Sequence, residues 1–258
     1  MKEICLVKDL DNLYKKYNNI EFVHPDPFEF VLKYSNKNDM EVVGLIAASF
    51  AVGNVFQILK FLGSVFDKMG ESPYLYLLNS SDSKIENDFK GFYYRYYKDY
   101  HIVEFFINIS RVLKSYGSIE DWVVGYLDED DETYFPLFKK ISADFNLSSA
   151  LIPKSSGNSA FKRLALYFRW MVRDDGLDLG LWKKLSPKKL IIPLDIHMMS
   201  ISMILGFTKS KSNSMSNALK ITQEFRKLNP KDPVKWDFSL SRLGIHPDLN
   251  YNELISLF

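Results

Sequence analysis

From Val42 to Phe66 the chain carries a single charged side chain, Lys60, in an otherwise apolar and small-residue run. Such a run has to be buried. Its periodicity is helical, so it predicts one or two core helices with a break at Gly53-Asn54. Helical periodicity also governs most of the remaining sequence. Alternating strand patterns are scarce, and the most strand-like stretch, Phe92 to Tyr100, is equally compatible with a helix. The expected architecture is all-α.

Punctuation places further elements. His24-Pro25-Asp26-Pro27 predicts an extended turn leading into a helix at Phe28. A helix over Ile102 to Tyr116 ends at Gly117-Ser118, and Ser118-Ile-Glu-Asp121 opens the next one as a capping box. Leu151 to Asn158 reads as a loop. Ser159 is placed to cap a helix running to about Arg173, where Asp174-Asp175-Gly176 stops it. Leu181 to Leu185 is a short turn or helix, and Ser186-Pro187 opens another. A helix over Asn213 to Leu228 ends at Asn229-Pro230 and Asp232-Pro233, and the short segment Trp236 to Leu243 follows.

The 258 residues, 47% of them hydrophobic, suit one large domain or two intimately packed lobes. A single cysteine, Cys5, excludes an intrachain disulfide and a four-cysteine metal or cluster site, and it fits a reducing compartment. No stretch has the roughly 18 uncharged apolar residues of a membrane helix. The start at Met1-Lys2-Glu3 is not that of a signal peptide. A cytoplasmic protein is expected. The net charge of +1 gives no general affinity for polyanions. Its distribution is uneven: residues 150–190 hold nine Lys/Arg against three acids, while residues 117–135 hold seven acids and no base. Such polarity can steer a polyanion although the total is near zero.

Two positions stand out as candidate chemistry. Asp195 lies between apolar runs in Ile192-Pro-Leu-Asp195-Ile-His197-Met198, where it either caps the following helix or is held for chemistry. Lys162 lies thirty-three residues upstream. On a helix, Arg169 and Arg173 return to within about 20° of it, giving a basic stripe that either faces phosphate or is an ordinary solvated face. A lysine at the head of such a stripe could serve as a nucleophile, because neighbouring cations and burial favour the neutral amine. Isolated His24 and His101 lack ligand spacing, so no metal site is expected. No phosphate-binding or dinucleotide fingerprint appears, and no cofactor is expected.

Pro193-Leu-Asp195-Ile-His197 resembles the Pro-Val-Asp-(Thr/Val)-His segment of the helix-hairpin-helix DNA glycosylases, the superfamily of endonuclease III and the 8-oxoguanine glycosylases. Gly157-Asn-Ser-Ala-Phe-Lys162 is similar to the hairpin and catalytic lysine of its bifunctional members, although Gly157 stands alone. Val43 to Ser49 looks like the apolar helix that opens their helical barrel. Over its whole length the chain also resembles a bacterial family known only as a domain of unknown function. The shared landmarks are His24-Pro-Asp-Pro27, Lys162 to Arg173, Asp178-Leu-Gly-Leu-Trp182, Pro193-Leu-Asp195 and Asp232 to Phe238.

The glycosylase resemblance implies a two-lobed helical fold, with residues 39–190 as one lobe and residues 1–38 plus 191–258 as the other, and a cleft between them. It implies a DNA repair N-glycosylase and abasic-site lyase that excises a damaged, possibly oxidised, purine. Lys162 would be the nucleophile and Asp195 the electrostatic stabiliser. Ser159, Arg163, Arg169, Arg173, His197 and Trp170 would contact DNA, and Trp170, Trp182, Trp236 or the tyrosine cluster would stack on the extruded base. Damaged DNA is the expected partner and a monomer the expected state. The alternatives are a non-catalytic nucleic-acid-binding module and a protein-interaction helical domain.

Overall fold

A computed structural model of the chain describes residues 2–255, with side chains from residue 4 onward. Among these residues all regular structure is helical, and the three β-bridges are isolated pairs. Contacts divide the chain into two units. An inserted unit holds residues 26–130 and 136–157, and a split unit holds residues 1–25, 131–135 and 158–258.

The split unit opens with α1 (Lys2–Tyr17). The inserted unit contains α2 (Phe28–Val31), α3 (Lys37–Ser49), α4 (Val55–Met69), α5 (Pro73–Asn79), α6 (Asp82–Phe89), α7 (Asp99–Tyr116), α8 (Ile119–Val124) and α9 (Phe135–Phe145), whose first residue falls on the boundary. The chain then returns to the split unit with α10 (Lys162–Val172), α11 (Ile196–Ile204), α12 (Met215–Leu228), α13 (Asp237–Ile245) and α14 (Asn252–Ile255).

This division differs from the lobes drawn on the sequence. Residues 26–38 group with the inserted unit, because α2 packs on α3. Residues 158–190 group with the C-terminal helices, because the arginines of α10 are tied by ion pairs to acids of residues 174–178 and 232–237. Lys162 and Asp195 therefore belong to one unit rather than one to each.

The apolar run forms α3 and α4, broken as expected at Gly53-Asn54. Asn54 caps α4 by accepting from the Phe56 and Gln57 N–H groups, and Gly53 takes φ +108°. Every residue from Val42 to Phe50 is buried. Phe50 packs against Phe61, Tyr94, Tyr97 and Phe105, which makes an aromatic core for the inserted unit. α7 ends at Gly117 in the left-handed region, φ +81°. Ser118 Oγ then accepts from the Asp121 N–H. The remaining first-turn donors of α8, Ile119 and Glu120, reach the buried Glu41 carboxylate on α3 at 2.9 and 3.3 Å. The cap is thus completed from another helix, a contribution no local motif encodes.

Phe92 to Tyr100 forms neither a strand nor a helix at its centre. Tyr94 and Tyr97 exchange backbone hydrogen bonds of 2.9 and 2.8 Å around a tight turn, with Arg95 left-handed at φ +55°. No helix among the described residues is long and apolar enough to cross a membrane.

Candidate active site

The site is built where two helices of the split unit begin. The segment Ile191 to Leu194 is fully buried, and its Ile192 N–H donates to Thr222 Oγ1 at 3.0 Å. Asp195 is extended at the N-cap of α11, and its Oδ1 accepts from the His197 and Met198 N–H groups, both at 2.9 Å. Its other oxygen, Oδ2, lies 3.3 Å from Lys162 Nζ, at the first position of α10. One carboxylate thus caps α11 with one oxygen and pairs with Lys162 through the other. The pair is half-open: the lysine side chain is 31% exposed and the aspartate 17%. Burial alone would raise the Asp195 pKa; the Lys162 charge and the Met198 N–H outweigh it and hold the carboxyl below its ordinary value.

Ser159 does not cap α10. Phe161 holds the N-cap position in a left-handed conformation, φ +48°, and Ser159 Oγ accepts from the Phe161 N–H at 3.2 Å. Ser159 also forms an isolated bridge with Ser214, which fastens the approach to Lys162 onto the segment leading into α12. Arg163 is partly exposed on α10.

Beyond Lys162 the basic stripe does not face solvent. Arg169 and Arg173 are 3% and 2% exposed. Arg169 pairs with Asp178 at 3.4 Å and with Asp237 at 2.5 Å. Arg173 pairs with Asp178, with Asp175 at 3.0 Å and with Asp232 at 2.9 Å. Burial would lower both guanidinium pKa values, but the surrounding carboxylates raise them above the ordinary value. The cause lies just beyond α10. Residues 174–182 double back along the helix end, where the Leu179 and Trp182 N–H groups donate to the Trp170 and Met171 carbonyls at 2.9 Å. That return brings Asp178 onto the arginines. Arg169 and Arg173 are therefore corrected from DNA contacts to members of a buried ionic network. Trp170 is likewise fully buried, as are Trp182 and Trp236, so none of these rings is available to stack on a base.

His197 has a partner that the sequence did not suggest. Its Nδ1 lies 2.8 Å from Tyr251 Oη. Burial lowers the imidazole pKa more than Asp195 raises it, with Lys162 and Arg242 adding to the lowering. Burial, with Asp195 assisting, raises the phenol pKa of Tyr251. A protonated phenol facing a neutral imidazole can donate to Nδ1 or accept from it, and we expect the first arrangement, with the ring proton on Nε2. Gly244 on α13 leaves room for this bond, since a Cβ there would sit 2.2 Å from Tyr251 Oη and 2.4 Å from His197 Nδ1.

Gly244→Ala is accordingly expected to separate the two rings. The phenol is the far end of a side chain and can withdraw, and alanine favours the helix, so stability should change by less than about 1 kcal/mol. Imidazole ¹⁵N spectra should show the Nε2–H tautomer in the wild type and a mixture in both Gly244→Ala and Tyr251→Phe. Identical spectra for all three proteins would refute the assignment.

Fold and site together define a helical protein with a partly open lysine–aspartate pair at the starts of two helices. Among the described residues no group of three or more His, Cys, Asp or Glu is arranged to hold a metal ion. The chain belongs to the family described as "Protein of unknown function (DUF2400)", which matches residues 26–246. No curated protein matches the chain, and no solved structure matches it.

Proposed function

We propose that the chain is a DNA N-glycosylase with abasic-site lyase activity on a damaged base, with oxidised purines the first substrates to test. The observation that carries this reading is the 3.3 Å approach of Lys162 Nζ to Asp195 Oδ2 in a half-open position. The glycosylase resemblance of Pro193-Leu-Asp195-Ile-His197 supports it. In this reading the fold is a distant form of the helix-hairpin-helix glycosylase fold.

The chemistry proceeds from the free amine, so the ammonium must first release a proton to solvent, which leaves Asp195 ionised. Lys162 Nζ then attacks the sugar C1′ while the C1′–N bond breaks, and the departing base keeps the electron pair and takes up a proton from solvent. Asp195, held ionised by its helix N–H donors and by the lysine, stabilises positive charge developing at C1′. Breaking of C1′–O4′, with O4′ taking up a proton, gives a Schiff base between Nζ and C1′; loss of a C2′ proton to solvent then drives β-elimination, and the C3′ phosphate leaves with the electron pair of the C3′–O bond. The base has to leave the stack to reach this point. Arg163 and the Nε2–H of His197 are the groups proposed to meet phosphate.

Borohydride trapping tests the reading. Wild-type protein is expected to form a covalent adduct with oligonucleotides bearing 8-oxoguanine or an abasic site, and Lys162→Gln to form none. A wild type that traps nothing, or an adduct that survives the substitution, removes the Schiff-base mechanism. The burial of Arg169 and Arg173 favours a second reading, a helical domain for protein interactions; its expected result is no DNA binding even at low salt.

A further inference from the structure

Outside this site, the most unusual surface belongs to the inserted unit. Residues 90–100, Lys-Gly-Phe-Tyr-Tyr-Arg-Tyr-Tyr-Lys-Asp-Tyr, contain five tyrosines, three cations and one acid. The tight turn at Tyr94–Tyr97 sorts them. Tyr94 and Tyr97 point inward onto Phe50, and the Tyr94 hydroxyl donates to the Val52 carbonyl at 2.7 Å. Tyr93, Tyr96 and Tyr100 point outward and are 67%, 57% and 56% exposed. Lys90, Arg95 and Lys98 are exposed beside them.

The turn is anchored rather than loose. Arg95 adopts φ +55°, which for a non-glycine residue costs about 1–2 kcal/mol. Its side chain lies over Gly53, where a Cβ would come within 2.2 Å of Nη1, and its guanidinium is 5.7 Å from the Tyr96 ring centroid. Asp99, the acid of the segment, accepts from the Gly91 and Tyr100 N–H groups, both at 2.9 Å. On the α6–α7 side, Tyr100 and Lys90 share a groove of about 610 Å³ with Glu86, Asp99 and Glu104, and Glu104 is engaged by the Ser148 N–H and hydroxyl. A polyanion is therefore favoured along the Tyr93–Arg95–Tyr96 side.

We propose that this knuckle is a binding platform for single-stranded nucleic acid. Exposed rings next to cations offer stacking faces and phosphate contacts together. A duplex presents no free base faces to such rings. Two of the three cations, Lys90 and Lys98, are lysines, a residue depleted at protein interfaces but well suited to phosphate. The platform lies in the other unit from Lys162 and Asp195, and it stands or falls independently of the glycosylase reading.

Fluorescence anisotropy with labelled oligo-deoxythymidylate, on the whole chain without turnover, tests it. The triple variant Tyr93→Ala/Tyr96→Ala/Tyr100→Ala is expected to bind at least about tenfold more weakly, since a stacked base is worth roughly fivefold to over a hundredfold per ring. Arg95→Ala/Lys98→Ala should flatten the salt dependence. The three replaced tyrosines are exposed, so circular dichroism of the triple variant should be unchanged. Three results overturn the proposal. One is a wild type that does not bind at low salt. Another is a triple variant that binds as tightly as the wild type, which makes the attraction one of charge alone. The third is light scattering that shows a wild-type dimer lost in the triple variant, which makes the patch a surface between copies of this chain.

Discussion

Under the proposed glycosylase function, Asp195→Asn is expected to lower base excision and strand cleavage by about 10²- to 10³-fold while changing unfolding free energy by less than about 1 kcal/mol. The two halves of this expectation come from the two oxygens of one side chain. Oδ1 caps α11 through the His197 and Met198 N–H groups, and an asparagine carbonyl can accept both bonds. Oδ2 faces Lys162, and there the substitution removes a charge. A reaction that develops positive charge at C1′ should therefore suffer far more than the helix does. Asp195→Ala removes both roles and should add about 1 kcal/mol of destabilisation, the ordinary cost of a lost cap. Single-turnover excision assays alongside urea melts separate the outcomes. Full activity in the asparagine variant would reduce Asp195 to a cap.

The largest stability effect belongs to Arg173. Arg173→Ala is expected to destabilise the fold by about 3–5 kcal/mol, because it takes from Asp175, Asp178 and Asp232 the guanidinium they share and leaves only Asp178 with a second arginine, Arg169. Asp178 is fully buried, and Asp175 and Asp232 converge on the same guanidinium. Tyr14 on α1 joins the cluster by donating to Asp175 at 2.8 Å, so the N-terminal helix should loosen with it. Urea denaturation measures the loss, and hydrogen exchange of α1 measures its spread. A change under about 1 kcal/mol would mean that water replaces the guanidinium, so that the network is not a buried one. Asp178→Asn in the Arg173→Ala background should recover part of the loss, since it removes one stranded charge.

Much of the local structure was legible in the sequence. The break at Gly53-Asn54, the stop at Gly117 and the cap at Asp195 each depend on a residue and its immediate neighbours. Where the reading failed, distant chain intervened. Glu41 completes the cap of α8 from seventy-eight residues away. Ser159 was a plausible cap, but its hydroxyl takes the Phe161 N–H instead, and the helix starts later. Lys162, Arg169 and Arg173 do begin as neighbours on one helical face, but the face changes character along its length. At Lys162 it is open; at Arg169 and Arg173 it is covered by the returning 174–182 segment and by α13. Spacing reports direction from the helix axis, and it says nothing of what packs there. The acids of that cover, Asp178, Asp232 and Asp237, lie in landmarks that the sequence did reveal, but without a role. Gly244 and Tyr251 gave no signal, because a glycine inside a helix and a tyrosine near the end acquire meaning only when a histidine lies between them.

By itself the sequence determined that this chain is helical, where most of its helices break, and that Asp195 starts one of them, because periodicity and capping act over a few residues. The tertiary structure decided which charges meet: it set Lys162 against Asp195 in a half-open position and enclosed Arg169 and Arg173 among carboxylates. Whether a charge is free to meet a ligand depends on the dielectric and the partners that distant segments bring to it, and no local pattern encodes those.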